Sequence, residues 1–282
     1  MTDIYLGLAL IAAVSLALFL GSARLVRAWP NWACDLAALG IVVVMLLYIQ
    51  FAWYGVWLVD WLPFSNLIVI GNWLPLFGAV LAAFVWQRLR DDGGRRRLVV
   101  GALAATAVYA SVHPLLGHTP ECQDQWTKDG VCLQSTRYTC TAAAAATLLK
   151  THGIDATERE LADLCLTRDG TTWLGLYRGL KQKTRGTEWD VRVVSGSIDE
   201  LGQLERPAIL RVGLETDSSV DSTYQTEYGW IPGVAHSVVL TGLDREFAYV
   251  ADPTPEIGRE RWTREELGIL WQGQAMCLVA RR

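Results

Sequence analysis

Four side chains in the C-terminal half of the sequence have the types and the order needed for nucleophilic catalysis. They are Gln134, Cys140, His236 and Asp252. A cysteine thiolate can attack a carbonyl carbon, histidine can accept and return a proton, aspartate can orient the imidazole, and a glutamine amide can donate to an oxyanion. Each residue alone has a more ordinary explanation, as a core cysteine, a structural histidine or an Asp-Pro turn. The hypothesis of a catalytic site therefore rests on the four together.

Cys140 is predicted to begin a helix. The stretch CTAAAAATLLK has high helix propensity, and Thr139 is a suitable N-cap. Free backbone N–H groups and the helix dipole at that position stabilise a thiolate and lower its pKa from about 8.5 towards neutrality. Cys140 is therefore the candidate nucleophile.

His236 and Asp252 are predicted to meet across two neighbouring strands. His236 lies in the strand-like stretch AHSVVLTG, and Asp252 follows the next such stretch, in VADPTPEIG. Antiparallel neighbours joined by a short turn can place these side chains together. Asp252 would then accept one imidazole N–H, and the other ring nitrogen would face Cys140.

The remaining elements of this half predict an α+β domain, with helices first and an antiparallel sheet second. A capping box at 157–160 opens a second helix that extends through Cys165, and a third helix spans 172–183. Strands are predicted at 189–194, 208–213, 235–242, 247–251, 256–262 and 275–280, with a capped helix at 263–270.

The long polar loop 214–233 is a candidate substrate-contacting flap, because loops of this length in compact domains are often functional. Leu214, Tyr228 and Trp230 are its candidate contact residues. The alternative is an exposed hairpin without a role.

The N-terminal half reads as a membrane domain covering residues 1–117, followed by the α+β domain at 118–282. Four segments are long and apolar enough to cross a bilayer, at 4–20, 36–59, 67–86 and 98–116. The first is not a typical cleaved signal peptide, because no positive charge precedes it. Arginines follow the first and third segments, whereas the joint 60–66 after the second has neither Lys nor Arg. The positive-inside rule then predicts an extracytoplasmic α+β domain. A re-entrant or misassigned span would instead place it in the cytosol.

Cysteine usage and charge limit the other chemistry expected of the chain. Cys122 and Cys132 flank the loop CQDQWTKDGVC and are a candidate disulfide for an oxidising compartment. A metal site is not predicted, since the spacing is not Cys-x-x-Cys and no histidine accompanies it. No cofactor is implied. The net charge of −4 and the lack of a basic patch argue against nucleic acid as a partner.

The motifs in order resemble peptidase family C39, a papain-like group best known as leader-peptide-cleaving domains of bacteriocin ABC exporters. The resemblance covers about 133–279 and rests on Gln134-x5-Cys140, His236 in AHSVV, Ala-Asp252-Pro and the late stretch LWQG. It implies a papain-like fold. It also implies that Cys140 is the nucleophile, His236 the general base and acid, Asp252 the orienting residue, and Gln134 an oxyanion donor together with the Cys140 backbone N–H.

Two departures from the family pattern bear on function. Thr141 stands where glycine commonly follows the cysteine, and it is expected to crowd the oxyanion side. Exporter members place the peptidase before their membrane spans and carry an ATPase. In this sequence the apolar segments come first, and the phosphate-binding motif G-x-x-x-x-G-K-[ST] of such ATPases does not occur. Cleavage after a double-glycine leader is therefore not expected.

The sequence thus predicts a membrane-anchored cysteine peptidase on the outer face of a bacterial cytoplasmic membrane. Its partners would be a peptide or protein substrate, the lipid bilayer and a membrane complex. One alternative is a peptidyl or acyl transferase, in which an amine resolves the thioester. Another is a catalytically silent C39-like domain that binds a peptide or acts as a scaffold. A transporter is disfavoured, because Asn72 and His113 are the main polar groups within the spans.

Overall fold

The structure is a computed structural model that describes residues 1–53, 55–216 and 222–281. Backbone contacts divide the chain into two compact units, Met1–Gly117 and His118–Arg282. Each unit is described by itself.

The N-terminal unit is helical, and four of its helical stretches have the length and hydropathy of membrane spans. These stretches are Thr2–Ala28, Asn31–Phe51, Leu67–Arg88 and Gly93–Leu115. The five α-helices within them are α1 (Thr2–Leu25), α2 (Asn31–Phe51), α3 (Leu67–Ile70), α4 (Leu74–Arg88) and α5 (Gly93–Val112). The predicted number of apolar segments is confirmed. Their bounds differ most in the second, predicted at 36–59, because the helix starts directly after Pro30 and ends at Phe51.

The third apolar stretch is interrupted between α3 and α4, and polar side chains compensate for the interruption. The Tyr48 hydroxyl donates to the Gly71 carbonyl at 2.5 Å and accepts from the Trp73 N–H at 3.2 Å. The Asn72 amide donates to a backbone carbonyl of α5 at 2.8 Å. Backbone polar groups have no water to bind inside a bilayer. These contacts therefore give Asn72 and Tyr48 a structural role.

In its described residues, the C-terminal unit combines five α-helices with an antiparallel sheet. The helices are α6 (Cys140–Thr151), α7 (Glu158–Leu164), α8 (Trp173–Lys183), α9 (Thr223–Thr226) and α10 (Arg264–Leu270). The strands are β1 (Trp189–Ser195), β2 (Ala208–Val212), β3 (His236–Leu243), β4 (Phe247–Asp252), β5 (Gly258–Thr263) and β6 (Trp271–Ala280). The sheet order is β1-β6-β2-β3-β4-β5, and every pairing is antiparallel.

This architecture confirms the predicted fold class, a helical apolar region followed by a mixed α and β domain. Most bounds differ from the prediction by one or two residues, and the start of the last strand differs by four. Cys165 follows α7 as its C-cap residue, and β6 begins at Trp271 because residues 271–274 pair with the ends of β1 and β2.

The two faces of the sheet pack against different helices. Val238, Leu240 and Val250 share a core with Leu267 and Leu270 of α10. Side chains alternate between faces along a strand, so the odd-numbered residues of β3 point to the opposite face, against which α6 packs. The first residue of β3 thus lies at the sheet end where α6 begins.

Candidate active site

The α6 helix presents Cys140 at its first position. Thr139 occupies the N-cap, as predicted, but its hydroxyl does not cap the helix. That hydroxyl instead accepts from the Thr136 N–H and donates to the Thr136 carbonyl, each at 3.0 Å. Because no side chain caps α6, its first-turn N–H groups remain available to a negative charge at the sulfur or on a substrate.

The sheet brings His236 and Asp252 together at the adjoining ends of β3 and β4. The His236 Nε2 lies 2.9 Å from the Asp252 Oδ1, and the Asp252 side chain is only 3% exposed. The same oxygen accepts from the Thr254 N–H at 2.7 Å. His236 also interacts with Cys140, which lowers the pKa of the thiol and raises the pKa of the imidazole. His236 therefore links Asp252, by a hydrogen bond, to Cys140, by an electrostatic interaction.

Opposite effects on the two pKa values favour an ion pair between Cys140 and His236. Burial raises the pKa of the Cys140 thiol, but hydrogen bonding and the charge of His236 outweigh burial and lower it overall. Burial lowers the pKa of His236, but the bonds to Asp252 and Cys140 raise it to about 10. Because the pKa of Cys140 falls while that of His236 rises, the thiolate and imidazolium are stabilised together, which is the reactive form of a nucleophilic cysteine.

Thr141 lies on the β3 side of the nucleophile, and its crowding of the oxyanion side stays a prediction. Its side chain is 7% exposed, and its hydroxyl forms a 2.8 Å hydrogen bond with the Ser237 hydroxyl. The same hydroxyl lies 3.9 Å from the Cys140 sulfur, and the Ser237 backbone also stabilises the thiolate. Both contacts lower the pKa of Cys140.

Gln134 lies in the loop before α6 and lines the same cleft as Cys140 and His236. Its N–H donates to the Pro253 carbonyl at 2.7 Å, which ties the loop to the residue after Asp252. The Gln134 Oε1 is buried and has no hydrogen-bond partner among the described residues. An amide whose oxygen is unpaired in a cleft has polar capacity left for a ligand.

Glu158 holds the loop before α6 in place. The sequence predicts only a capping box at 157–160 and gives no role to this side chain. The Glu158 side chain is fully buried. Its carboxylate accepts from the Ser135 N–H at 2.7 Å and from the Ser135 hydroxyl at 2.5 Å. A glutamate in a first helical turn is ordinarily exposed, so the sequence carries no signal for this contact.

The cleft above Cys140 has a volume of about 650 Å³ and is partly walled by the predicted flap. Tyr228 and Trp230 line it, and the Trp230 ring lies 6.0 Å from the His236 ring in an edge-to-face arrangement. Leu214 does not line it. That residue is 1% exposed and belongs to the core, because strand β2 carries it inward, so its assignment to the flap is wrong. Residues 217–221 of the predicted flap lie outside the described residues.

The other candidate sites involve cysteine and metal. Cys122 and Cys132 are free thiols in the structure. Cys132 is fully buried, and the Cys122 sulfur contacts the Pro120 carbonyl at 3.4 Å. A disulfide between the two cysteines stays a prediction. Among the described residues, no group of three or more His, Cys, Asp or Glu is arranged to hold a metal ion.

Comparison with known proteins supports the resemblance drawn from the motifs. The model of the peptidase C39 family matches residues 128–218, a stretch that contains Gln134 and Cys140 and ends before His236. An uncharacterized protein of Methanothermobacter thermautotrophicus is 29% identical over 150 residues, which are 52% of this chain and 85% of that protein.

Two solved structures are similar to the C-terminal unit. One is the peptidase domain of Streptococcus ComA, a bi-functional ABC transporter involved in a quorum sensing pathway. It is 22% identical, the match covers 53% of this chain and 96% of that chain, and the TM-score is 0.42. The other is a double glycine motif protease from an AMS/PCAT transporter in complex with the leader peptide. It is 19% identical, the match covers 54% of this chain and 91% of that chain, and the TM-score is 0.40. The family match supports the resemblance over residues 128–218, which follow four helical stretches long and apolar enough to cross a membrane.

Proposed function

We propose that this protein is a membrane-anchored cysteine peptidase in which Cys140 attacks a peptide bond. The observation that carries the proposal is the arrangement of three groups: Cys140 at the start of α6, His236 interacting with its thiol, and Asp252 hydrogen-bonded to His236 at 2.9 Å. This arrangement supplies a nucleophile, a proton carrier and an orienting carboxylate together.

The first half of the reaction forms a thioester. The Cys140 thiolate attacks the scissile carbonyl carbon, so a C–S bond forms and the carbonyl oxygen becomes an oxyanion. The Gln134 side-chain amide and the Cys140 backbone N–H stabilise that charge. When the intermediate collapses, the C–N bond breaks and His236 donates its proton to the departing amine.

The second half releases the acid. Water enters, and neutral His236 removes one of its protons while the oxygen attacks the thioester carbon. The C–O bond forms, the C–S bond breaks, and the Cys140 thiolate and protonated His236 are restored. Asp252 keeps one ring nitrogen occupied throughout, so the other always faces the sulfur.

The substrate we propose is an extended segment of a peptide or protein, because the cleft is open and runs beside the nucleophile. The arginine distribution favours a catalytic domain on the outer face of a bacterial cytoplasmic membrane. A membrane-impermeant maleimide applied to intact cells would label an Asp129→Cys variant at its exposed loop if this orientation holds. Labelling only after the membrane is opened would place the domain in the cytosol.

Hydrolysis of a peptide library by the full-length protein tests the activity. The proposal predicts defined cleavage products that disappear in Cys140→Ala. Products joined to an added amine in preference to water would instead support a transferase. Binding of peptides without cleavage by the wild-type protein would support a silent C39-like binding domain.

A further inference from the structure

Glu260 on β5 lies on the same face of the sheet as His236 and Asp252. In the β4–β5 register, Glu260 pairs with Val250 and Gly258 pairs with Asp252. Because alternate residues share a face, the side chains of Asp252 and Glu260 both project towards the cleft, which Glu260 lines. The roles proposed above for the reaction leave Glu260 without a function.

The Glu260 carboxylate has a hydrogen bond but no lysine or arginine partner among the described residues. The Trp262 indole N–H donates to its Oε1 at 2.7 Å. Within the described part of the chain, no lysine or arginine forms an ion pair with Glu260. Two arginines line the same cleft, and both contact other groups.

The guanidinium group of each of these two arginines lies over an aromatic ring. The Arg137 guanidinium lies 4.7 Å from the centre of the Tyr138 ring and donates to its hydroxyl. The Arg261 guanidinium lies 4.3 Å from the centre of the Phe247 ring.

A carboxylate in this setting is better stabilised by a cation from outside the chain. Burial, assisted by the charge of Asp252, raises the pKa of the Glu260 carboxyl despite its hydrogen bond to Trp262 and the opposing charge of His236. A charge removed from water costs free energy unless a counter-charge compensates for it. An ammonium or guanidinium group entering the cleft would supply that counter-charge.

Aromatic rings beside Glu260 suit the rest of a basic side chain. The Trp262 and Trp230 rings lie 6.1 Å apart in an edge-to-face arrangement, and Trp230 also borders His236. Such rings pack against the aliphatic stem of lysine or arginine, and their faces attract its cationic end. The carboxylate and the rings thus match a long cationic side chain better than a neutral one.

We propose that Glu260 is a specificity-determining residue that selects peptides carrying a lysine or arginine near the scissile bond. The inference rests on the proposed function only in taking this cleft as the place where substrate binds. A charge-assisted contact at a partly exposed site gives a preference of about tenfold for lysine over a neutral residue of the same length.

The test compares matched peptides that differ in one side chain. A library carries lysine or norleucine at each position around the cleavage site, and binding is measured on full-length Cys140→Ala protein in lipid nanodiscs. Hydrolysis by the wild-type protein is measured in parallel. Glu260→Gln is the informative variant, because its amide oxygen can still accept from Trp262 while the charge is lost. Glu265→Gln, on the exposed side of α10, removes the same charge outside the cleft.

The inference predicts about a tenfold preference for lysine at one position. The ratio of the affinities for lysine and norleucine peptides should fall to about one in Glu260→Gln and stay about tenfold in Glu265→Gln. Equal binding of lysine and norleucine peptides at every position would overturn it, as would a preference that survives in Glu260→Gln. Lysine-dependent binding without hydrolysis by the wild-type protein would support the inference and contradict the proposed peptidase activity.

Discussion

Replacing Asp252 by asparagine should weaken the site while preserving its geometry. The Asp252 Oδ1 is hydrogen-bonded to the His236 Nε2 at 2.9 Å and accepts from the Thr254 N–H at 2.7 Å. An asparagine side chain has one oxygen that can accept from both donors, and its amide nitrogen cannot replace that oxygen. The Thr254 N–H therefore fixes the asparagine oxygen towards His236, and the imidazole keeps its orientation.

The change in charge should appear in the titration of the thiol. Burial raises the pKa of Asp252 but the bond to His236 lowers it overall, so the wild-type carboxylate is an anion at neutral pH. Its removal lowers the pKa of His236, which weakens the imidazolium beside Cys140 and raises the pKa of the thiol. A hydrogen bond to a charged group contributes about 1–1.5 kcal/mol more than a neutral one, equivalent to about one pKa unit.

The assay is the rate at which iodoacetamide alkylates Cys140 between about pH 5 and pH 9, read by mass spectrometry of the peptide that contains it. The midpoint in Asp252→Asn should lie about one unit above that of the wild type, with peptide hydrolysis at neutral pH reduced about tenfold. Asp252→Ala also frees the imidazole and should reduce hydrolysis about a hundredfold or more. An unchanged midpoint, or equal losses in the two variants, would refute the reasoning.

Three further substitutions test the surroundings of the nucleophile. Gln134→Ala should reduce kcat for hydrolysis about a hundredfold without changing the alkylation rate of the thiol, and an equal effect on both would contradict an oxyanion role. Thr141→Val leaves the buried Ser237 hydroxyl without its partner, so denaturant titration should give a free energy of unfolding lower by about 1–3 kcal/mol; an unchanged value would contradict this contact. Glu158→Ala removes both bonds from Ser135 and should cost about 3 kcal/mol in the same measurement, whereas a cost below about 1 kcal/mol would show that the loop is held otherwise.

The sequence predicted the parts of this structure that depend on local pattern. The alanine run and Thr139 indicate the start of α6, and the alternation around His236 indicates β3, because propensity and period act within a few residues. Residue type and order then suggested which side chains should meet. The oxyanion role of Gln134 stays a prediction, since it concerns a charge that forms only during reaction.

Contacts set by packing could not be predicted in the same way. The bond between Thr141 and Ser237 depends on the register in which α6 lies across β3, which neither segment encodes alone. The same holds for Glu158, whose burial follows from the path of a distant loop. Leu214 was misassigned because the polar loop begins one residue later than composition suggests, after the chain leaves the core.

The most direct test of the central claim is site-resolved labelling of the six cysteines by a thiol-directed electrophile at neutral pH. If His236 holds Cys140 as a thiolate, Cys140 should be labelled first in the wild-type protein, and its labelling should slow strongly in His236→Ala. Equal labelling of Cys140 in both proteins, or faster labelling of another cysteine, would contradict the account.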